Sequence, residues 1–199
     1  MPELQAARGA SLIASKTSGD PTTGASPGDR RRRLSAPALA FSVAAVALGI
    51  DLASKIMAVN QLSGQPPVEV IGTFLQLRLL RNPGAAFSTG TSLTPVISVL
   101  ALVAAVVVFH YARRVQHRGW ALALGLLLAG VTGNLIDRIF RAPGPFRGHV
   151  VDFFALPNWP VFNFADIWID TAGVLFVILL IRGVRLDGSR HEEPTREEP

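Results

Sequence analysis

The chain has 199 residues, of which 49% are hydrophobic, with a formal net charge of +5 and a mean hydropathy of +0.37. This is too apolar for an ordinary soluble domain, and the length suits a single domain. The absence of Cys excludes disulfides, thiol nucleophiles and cysteine-based metal sites. The four His residues form no HxxxH or HExxH pattern, so a zinc site is not favoured.

The N-terminal region combines a polar tail with a first apolar run. Residues 1–34 are rich in Ser, Thr, Gly, Pro and Ala and are interpreted as a disordered tail. The tail ends in Arg30–Arg33, which indicates the cytoplasmic side of a membrane helix, although a twin-arginine export signal is an alternative. Residues 36–59 are predicted to span the membrane, since their length matches about 30 Å of hydrocarbon. A cleaved signal peptide is the competing interpretation.

The next stretch has a different pattern. Apolar residues from Val68 to Leu79 roughly alternate in a β-prone run, which predicts a short strand or hairpin outside the membrane. The segment Arg81–Phe87 (RNPGAAF) is interpreted as a turn that leads into a small amphipathic segment.

Three further membrane segments are predicted over residues 93–111, 119–140 and 165–184. The third carries a small residue every four positions from Ala121 to Gly133, which favours close helix packing. Tight Arg clusters follow the second and fourth segments, so the positive-inside rule makes both termini cytoplasmic. The loops over residues 60–92 and 141–164 are then extracytoplasmic, and residues 186–199 form a second disordered cytoplasmic tail.

Polar side chains collect near one end of these segments. Ionisable groups at membrane depth are costly and are a functional hypothesis by default. With the predicted topology they all reach the outer membrane surface, and Asp152 is expected in the loop just before the fourth segment. These residues are Asp51, Lys55, Asn82, Asn134, Asp137, Arg138, Asp152, Asn163 and Asp166.

Two of the charged pairs have a structural interpretation. Asp51 and Lys55 are four residues apart on one helix face and are expected to neutralise one another. Asp137 beside Arg138 is expected to form an ion pair, with Arg138 also facing a ligand. A serine–lysine protease dyad is an alternative use of Lys55, because a desolvated lysine can act as a base; Ser54 and Ser88 are its candidate nucleophiles.

Asp152 and Asp166 fit a two-carboxylate site. Two carboxyls that share a site do not both ionise easily, so the pair holds one proton. The ionised member can take a proton from an attacking water while the protonated member donates to a peptide carbonyl. A small transporter or channel subunit with an interfacial polar cluster is the alternative function, and a non-enzymatic scaffold is another.

Five short motifs in this order resemble the bacterial lipoprotein signal peptidases, the signal peptidase II family of aspartyl membrane peptidases. The resemblance covers residues 36–183. The motifs are Asp51 with Lys55, Asn82–Phe87, Gly133-Asn134 with Asp137-Arg138, Val150–Phe153, and Phe162-Asn163 with Ala165-Asp166.

The resemblance implies an all-α membrane protein: four transmembrane helices, a small extracytoplasmic β-platform and a short interfacial amphipathic helix. Residues 35–185 would form this peptidase domain in a bacterial cell membrane. Asp152 and Asp166 would be the catalytic dyad, supported by other motif residues including Gly133, with no metal, cofactor or nucleic-acid partner. The substrate would be a diacylglyceryl-modified prolipoprotein in contact with membrane lipid, cleaved just before its lipid-modified Cys.

Two positions depart from the family pattern. Asp170 lies one helical turn beyond Asp166 and could pair with Lys55, bind water or perturb the dyad. Ala129-Gly130 stands where two glycines are expected, which would affect helix packing rather than chemistry.

Overall fold

The computed structural model describes residues 34–84 and 93–189. Within these ranges the chain is mainly helical, with four helices long and apolar enough to cross a membrane and one small sheet. The elements in chain order are α1 (Ala36–Leu62), β1 (Val68–Ile71), β2 (Leu75–Asn82), α2 (Thr94–Ala112), α3 (Arg118–Phe140), β3 (Val150–Ala155) and α4 (Phe164–Ile181).

The predicted helix bounds differ from the observed ones mainly at two ends. Helix α1 continues three residues further, to Leu62, before Gly64 turns the chain with a φ of 72°. Helix α4 ends at Ile181, three residues earlier than predicted. Gly183 has a φ of 62°, and the backbone N–H groups of Gly183 and Val184 donate to Leu180 and Leu179. This is a Schellman ending, for which glycine is the usual residue.

Helix α3 is the central helix of the bundle. Half of an apolar 18-residue stretch of α3 is buried, whereas the corresponding stretches of α2 and α4 are each 17% buried. Its glycines allow close approach: a Cβ on Gly125 would meet the Ala40 carbonyl of α1, and one on Gly130 would meet the Ala165 carbonyl of α4. The predicted stripe of small residues is therefore a packing surface, as is common between membrane helices. Ala129 also fits, because it packs in a buried cluster with Ala47 of α1 and Ala172 of α4.

The outer faces of the helices are apolar and exposed. Helices α2 and α4 present large side chains such as Leu100, Val106, Leu180 and Ile181, each more than half exposed. Exposed apolar surface of this kind is suited to lipid contact rather than to water. The chain is thus a multi-pass membrane protein.

The sheet has the order β1-β2-β3 and both pairings are antiparallel. The predicted hairpin is confirmed as β1 and β2. The assignment of Asp152 to a loop is wrong, since it lies on β3 opposite Leu80 of β2. The sequence pattern did not indicate β3, because its partner strand lies far earlier in the chain, beyond any local pattern. Val151 and Phe153 on β3 pack against Ala58 and Leu62, so the sheet rests on the end of α1.

Two predicted features lie outside the described residues. The amphipathic segment that begins near Ala85 falls in residues 85–92, and the tails fall in residues 1–33 and 190–199.

Candidate active site

The first turn of α4 positions Asp166. Asn163 is the N-cap residue; its side chain accepts from the Asp166 backbone N–H, and the Asp166 carboxylate accepts from the Asn163 backbone N–H at 3.0 Å. This reciprocal capping box satisfies N–H groups that a helix start leaves without partners. Asp51 of α1 accepts from the next free N–H, that of Ala165, at 2.9 Å. The start of α4 is therefore bound to α1, which restricts the orientation of Asp166.

Strand β3 brings Asp152 to the same place. Its Oδ2 accepts from Asn82 Nδ2 at 2.9 Å and its Oδ1 from Asn163 Nδ2 at 2.5 Å. Asp152 is 2% exposed. Burial raises the pKa of Asp152 to about 6, and the charge of Asp166 adds to the rise, while the hydrogen bonds from Asn82 and Asn163 oppose it. The group is therefore poised to hold a proton at a higher pH than an ordinary carboxyl.

Two asparagines join the carboxylates into one network. Asn163 donates to Asp152 through its side chain and to Asp166 through its backbone. Asn134 of α3 donates to Asp166 Oδ1 at 2.9 Å, while its own Oδ1 accepts from Asn163 Nδ2 at 3.2 Å. Helix α3, strand β3 and helix α4 thus each contribute a side chain to a continuous chain of hydrogen bonds.

Lys55 organises a second, buried layer beneath this network. Its ammonium contacts Asp51 at 2.9 Å, Asp137 at 3.0 Å and the Asn134 amide oxygen at 3.0 Å. These three acceptors match the three ammonium hydrogens. The Lys55 side chain is fully buried, as is that of Asp51. The expected Asp51–Lys55 pair is confirmed, and Lys55 also orients Asn134.

Asp137 has different partners from those expected. It pairs with Lys55 and with Arg141, and it accepts from the Val151 backbone N–H at 3.2 Å. The predicted Asp137–Arg138 pair is wrong, because adjacent residues on a helix point about 100° apart and do not face each other. Arg141, the C-cap residue of α3, lies four residues after Asp137, a spacing that could have indicated this contact.

Arg138 instead faces the site. It is 8% exposed, and within the described residues its Nη1 has no hydrogen-bond partner. Gly84 lies against the guanidinium with a φ of 96°, and a side chain there would come within 3.0 Å of Nη1. The negative charges of Asp152, Asp137 and Asp166 attract the Arg138 guanidinium. The residue therefore presents unused donors beside the two carboxylates.

These groups open onto one cavity of about 360 Å³. Its polar wall contains Asn82, Asn134, Arg138, Asp152 and Asp166, and its remaining wall is largely apolar. The other lining residues are Val150, Trp159, Pro160, Val161, Phe162, Ile167 and Asp170. A concave site with a few convergent polar groups is the expected form of a binding or active site.

Several predicted site residues have supporting positions instead. Asp51, Lys55, Asp137 and Asn163 are buried behind the cavity wall. Gly133 packs directly against the Asp51 carboxylate, where a Cβ would overlap it. Among the missed residues, Gly148 crosses the end of α3 so closely that a Cβ would overlap backbone oxygens. No pattern in the sequence marked that approach.

The alternative chemistries have less support. Ser54 donates to the Asp51 backbone carbonyl at 2.8 Å, while Lys55 is engaged in the buried network, so the two do not form a dyad. Ser88 lies outside the described residues. No group of three or more His, Asp or Glu residues in the described ranges could hold a metal ion. A larger cavity of about 530 Å³ lies at the opposite end of the bundle, beside Trp120 and Val184, away from the carboxylates.

Comparison with known proteins points to one family. The signal peptidase (SPase) II family matches residues 43–182. The lipoprotein signal peptidase of Streptomyces griseus subsp. griseus is 50% identical over 77% of this chain and 78% of that protein. The corresponding protein of Mycobacterium avium is 45% identical over 84% of this chain and 91% of that protein.

A solved structure described as a bacterial membrane enzyme is also similar. It has a TM-score of 0.64 and 25% identity, and the likeness covers 72% of this chain and 92% of that one. The family match extends over more than two thirds of the sequence and leaves no support for a channel subunit. The chain belongs to the signal peptidase II family and is a membrane protease.

Proposed function

We propose that this protein is an aspartyl endopeptidase in which Asp152 and Asp166 activate water to cleave the signal peptide from a prolipoprotein. The observation that carries the proposal is the convergence of the two carboxylates on one cavity, joined through Asn163. Family membership supports the protease activity and a lipoprotein substrate. The assignment of the two aspartates rests on the geometry.

The chemistry follows from the two environments. Asp152 is buried and its pKa is raised to about 6, so it is the member suited to hold the shared proton. Asp166 then takes a proton from water as that water attacks the peptide carbonyl. Asp152 hydrogen-bonds the carbonyl oxygen, and a proton passes to the leaving amine as the tetrahedral intermediate collapses. The reaction needs no metal or cofactor, so activity is expected to persist in the presence of a chelator.

Neighbouring residues support the dyad in distinct ways. Asn82 and Asn163 hold Asp152, and Asn134 holds Asp166. Arg138 has an unused donor in the cavity wall and would bind a carbonyl oxygen of the substrate. Preorganised donors of this kind stabilise charge that develops during reaction. Lys55, Asp51, Asp137 and Gly133 act behind them by fixing helix positions.

We propose that the substrate carries diacylglycerol on the Cys that follows the scissile bond. Such a Cys lies at the membrane surface, and the cavity lies where α4 begins its membrane segment. An apolar groove of about 350 Å³ starts beside Trp168, one turn into α4, and continues along α1. It could accept an acyl chain. Its other lining residues are Ser42, Val43, Val46, Ala47, Ile50 and Leu126.

The proposed topology places the active site on the extracytoplasmic face and both termini in the cytoplasm. The supporting observation is that exposed Arg residues collect at the opposite end of the bundle, as the positive-inside rule requires. The domain organisation proposed from the sequence is a peptidase domain over residues 35–185 between two cytoplasmic tails. The exposed arginines at that end are Arg113, Arg114, Arg118, Arg182 and Arg185, against Arg78, Arg81 and Arg147 at the active-site end.

The test is cleavage of a diacylglyceryl-modified prolipoprotein by purified wild type, Asp152→Asn and Asp166→Asn. Each dyad variant is expected to lose at least about 100-fold in turnover, the usual contribution of a positioned acid or base. Asp187→Asn is the matched control, because Asp187 is exposed at the far end of the bundle and should retain full activity.

Thermal unfolding in detergent shows that each variant is folded. Full activity in either folded dyad variant would contradict the assignment of that aspartate. A wild type that cleaves the unlipidated precursor equally well would contradict the proposed lipid requirement.

A further inference from the structure

Asp170 is a carboxylate that the proposed mechanism does not use. It lies on α4 one turn beyond Asp166, is exposed, and lines the same cavity as the two carboxylates. Within the described part of the chain its side chain has no hydrogen bond or ion pair, because Lys55, the expected partner, is engaged by Asp51, Asp137 and Asn134. An ionisable group without a partner in a membrane segment is a functional hypothesis by default.

The charges of the residues that line the cavity do not balance, because Asp170 adds a negative charge. Arg138 is the cation among the lining residues, and the charges of Asp152 and Asp166 act on it, whereas Asp170 only shares the cavity wall with it. If the dyad holds one proton, its remaining negative charge balances Arg138. Asp170 then adds a negative charge that nothing else in the described wall compensates, so this part of the cavity is complementary to a hydrogen-bond donor.

The depth of Asp170 along α4 indicates which residue of the substrate it would contact. Helix α4 enters the membrane from Asp166, so four residues place Asp170 about 6 Å deeper. A signal peptide is apolar and extends into the membrane from the bond that is cut. A peptide in extended conformation advances about 3.3 Å per residue, so its second residue before the scissile bond reaches the same depth.

We propose that Asp170 is a specificity residue that selects a hydroxyl-bearing side chain at the second position before the scissile bond. This inference rests on the proposed function, since it uses the same cavity and the same cleaved bond. A neutral hydroxyl fits better than a cation, because placing a full positive charge in an apolar signal peptide is costly at membrane depth. A hydrogen bond to a carboxylate is roughly twice as strong as one between neutral groups.

The experiment compares two synthetic diacylglyceryl-modified prolipoprotein peptides that differ at one atom. One carries Ser at the second position before the lipid-modified Cys, and the other carries 2-aminobutyrate, in which a methyl group replaces the hydroxyl. Wild type is expected to favour the Ser peptide by about tenfold in kcat/KM, the scale of one net hydrogen bond to a charged group.

Two variants test the role of Asp170 directly. Asp170→Leu is expected to reduce the ratio of kcat/KM for the Ser peptide to kcat/KM for the aminobutyrate peptide from about ten to about one, whatever its effect on the absolute rates. Asp170→Asn is expected to retain a smaller preference, because its carbonyl accepts a weaker neutral hydrogen bond. A third peptide with Ser moved to the third position should be cleaved like the aminobutyrate peptide, which tests the depth argument.

The possible outcomes distinguish a failure of the Asp170 proposal from a failure of the proposed function. Equal cleavage of the two peptides by wild type overturns the specificity role while leaving the protease intact. Equal loss on both peptides in Asp170→Leu also overturns it, because it would indicate a general effect on the dyad or on folding. Cleavage of neither peptide by folded wild type would contradict the proposed function itself.

Discussion

The active-site carboxyl Asp152 is expected to make the protein less stable at neutral pH than a variant that lacks its charge. The carboxyl is 2% exposed, and burial raises its pKa from the ordinary 3.8 to about 6. In the unfolded chain it ionises above pH 3.8, whereas in the folded protein it keeps its proton to about pH 6. The folded state binds more protons between these values, so stability falls as pH rises through this window.

The size of the stability difference follows from the pKa shift of Asp152. The pKa rises by about 2 units, and each unit corresponds to about 1.36 kcal/mol, so ionising Asp152 costs about 3 kcal/mol of unfolding free energy above pH 6. Asp152→Asn removes this cost, because the amide is neutral at every pH. The amide has one acceptor oxygen, whereas both carboxyl oxygens of Asp152 accept from Asn82 and Asn163, so the variant loses one hydrogen bond, which costs about 1 kcal/mol at every pH.

The assay is unfolding of purified protein in detergent at pH 4 and at pH 7.5. Relative to wild type, Asp152→Asn is expected to gain about 3 kcal/mol of unfolding free energy between pH 4 and pH 7.5, and to be the more stable protein at pH 7.5. Asp187→Asn, at an exposed site, should show no comparable gain. A variant that is less stable than wild type at pH 7.5, or a stability difference that does not change with pH, would contradict this prediction.

Two further predictions concern the support behind the site. Gly133→Ala should lower the free energy of unfolding by about 1–3 kcal/mol, because a Cβ there overlaps the buried Asp51 carboxylate. Gly173→Ala on α4 has open space around the new Cβ and should be neutral or stabilising. Thermal unfolding distinguishes the two variants, and equal stability of both would contradict the close packing at Gly133. Lys55→Met should cost about 3–5 kcal/mol because it leaves Asp51 buried without its cation. Adding Asp51→Leu should recover part of that loss, and strictly additive unfolding free energies would rule out the coupling.

The number and approximate bounds of the membrane-crossing helices were accessible from the sequence because they depend on local properties. The length and apolarity of each run determine a membrane crossing, so the four helices and the β1–β2 hairpin were predicted within a few residues. The motifs around Asp152 and Asp166 indicated the signal peptidase II family before any geometry was known. The polar residues were also predicted to lie together at one end of the helices, and they form one hydrogen-bond network there.

The partners of those residues were decided only by the tertiary structure. Asn82 bonds Asp152 across 70 positions and Lys55 bonds Asn134 across 79 positions, and no local pattern encodes such contacts. Strand β3 forms because β2 provides its hydrogen bonds, so Asp152 was wrongly expected in a loop. The sequence determined which chemical groups lie together at one end of the helices, since hydrophobicity and helix period are local properties. Packing determined which atoms meet, because a buried donor or acceptor takes its partner from whichever segment the fold brings beside it.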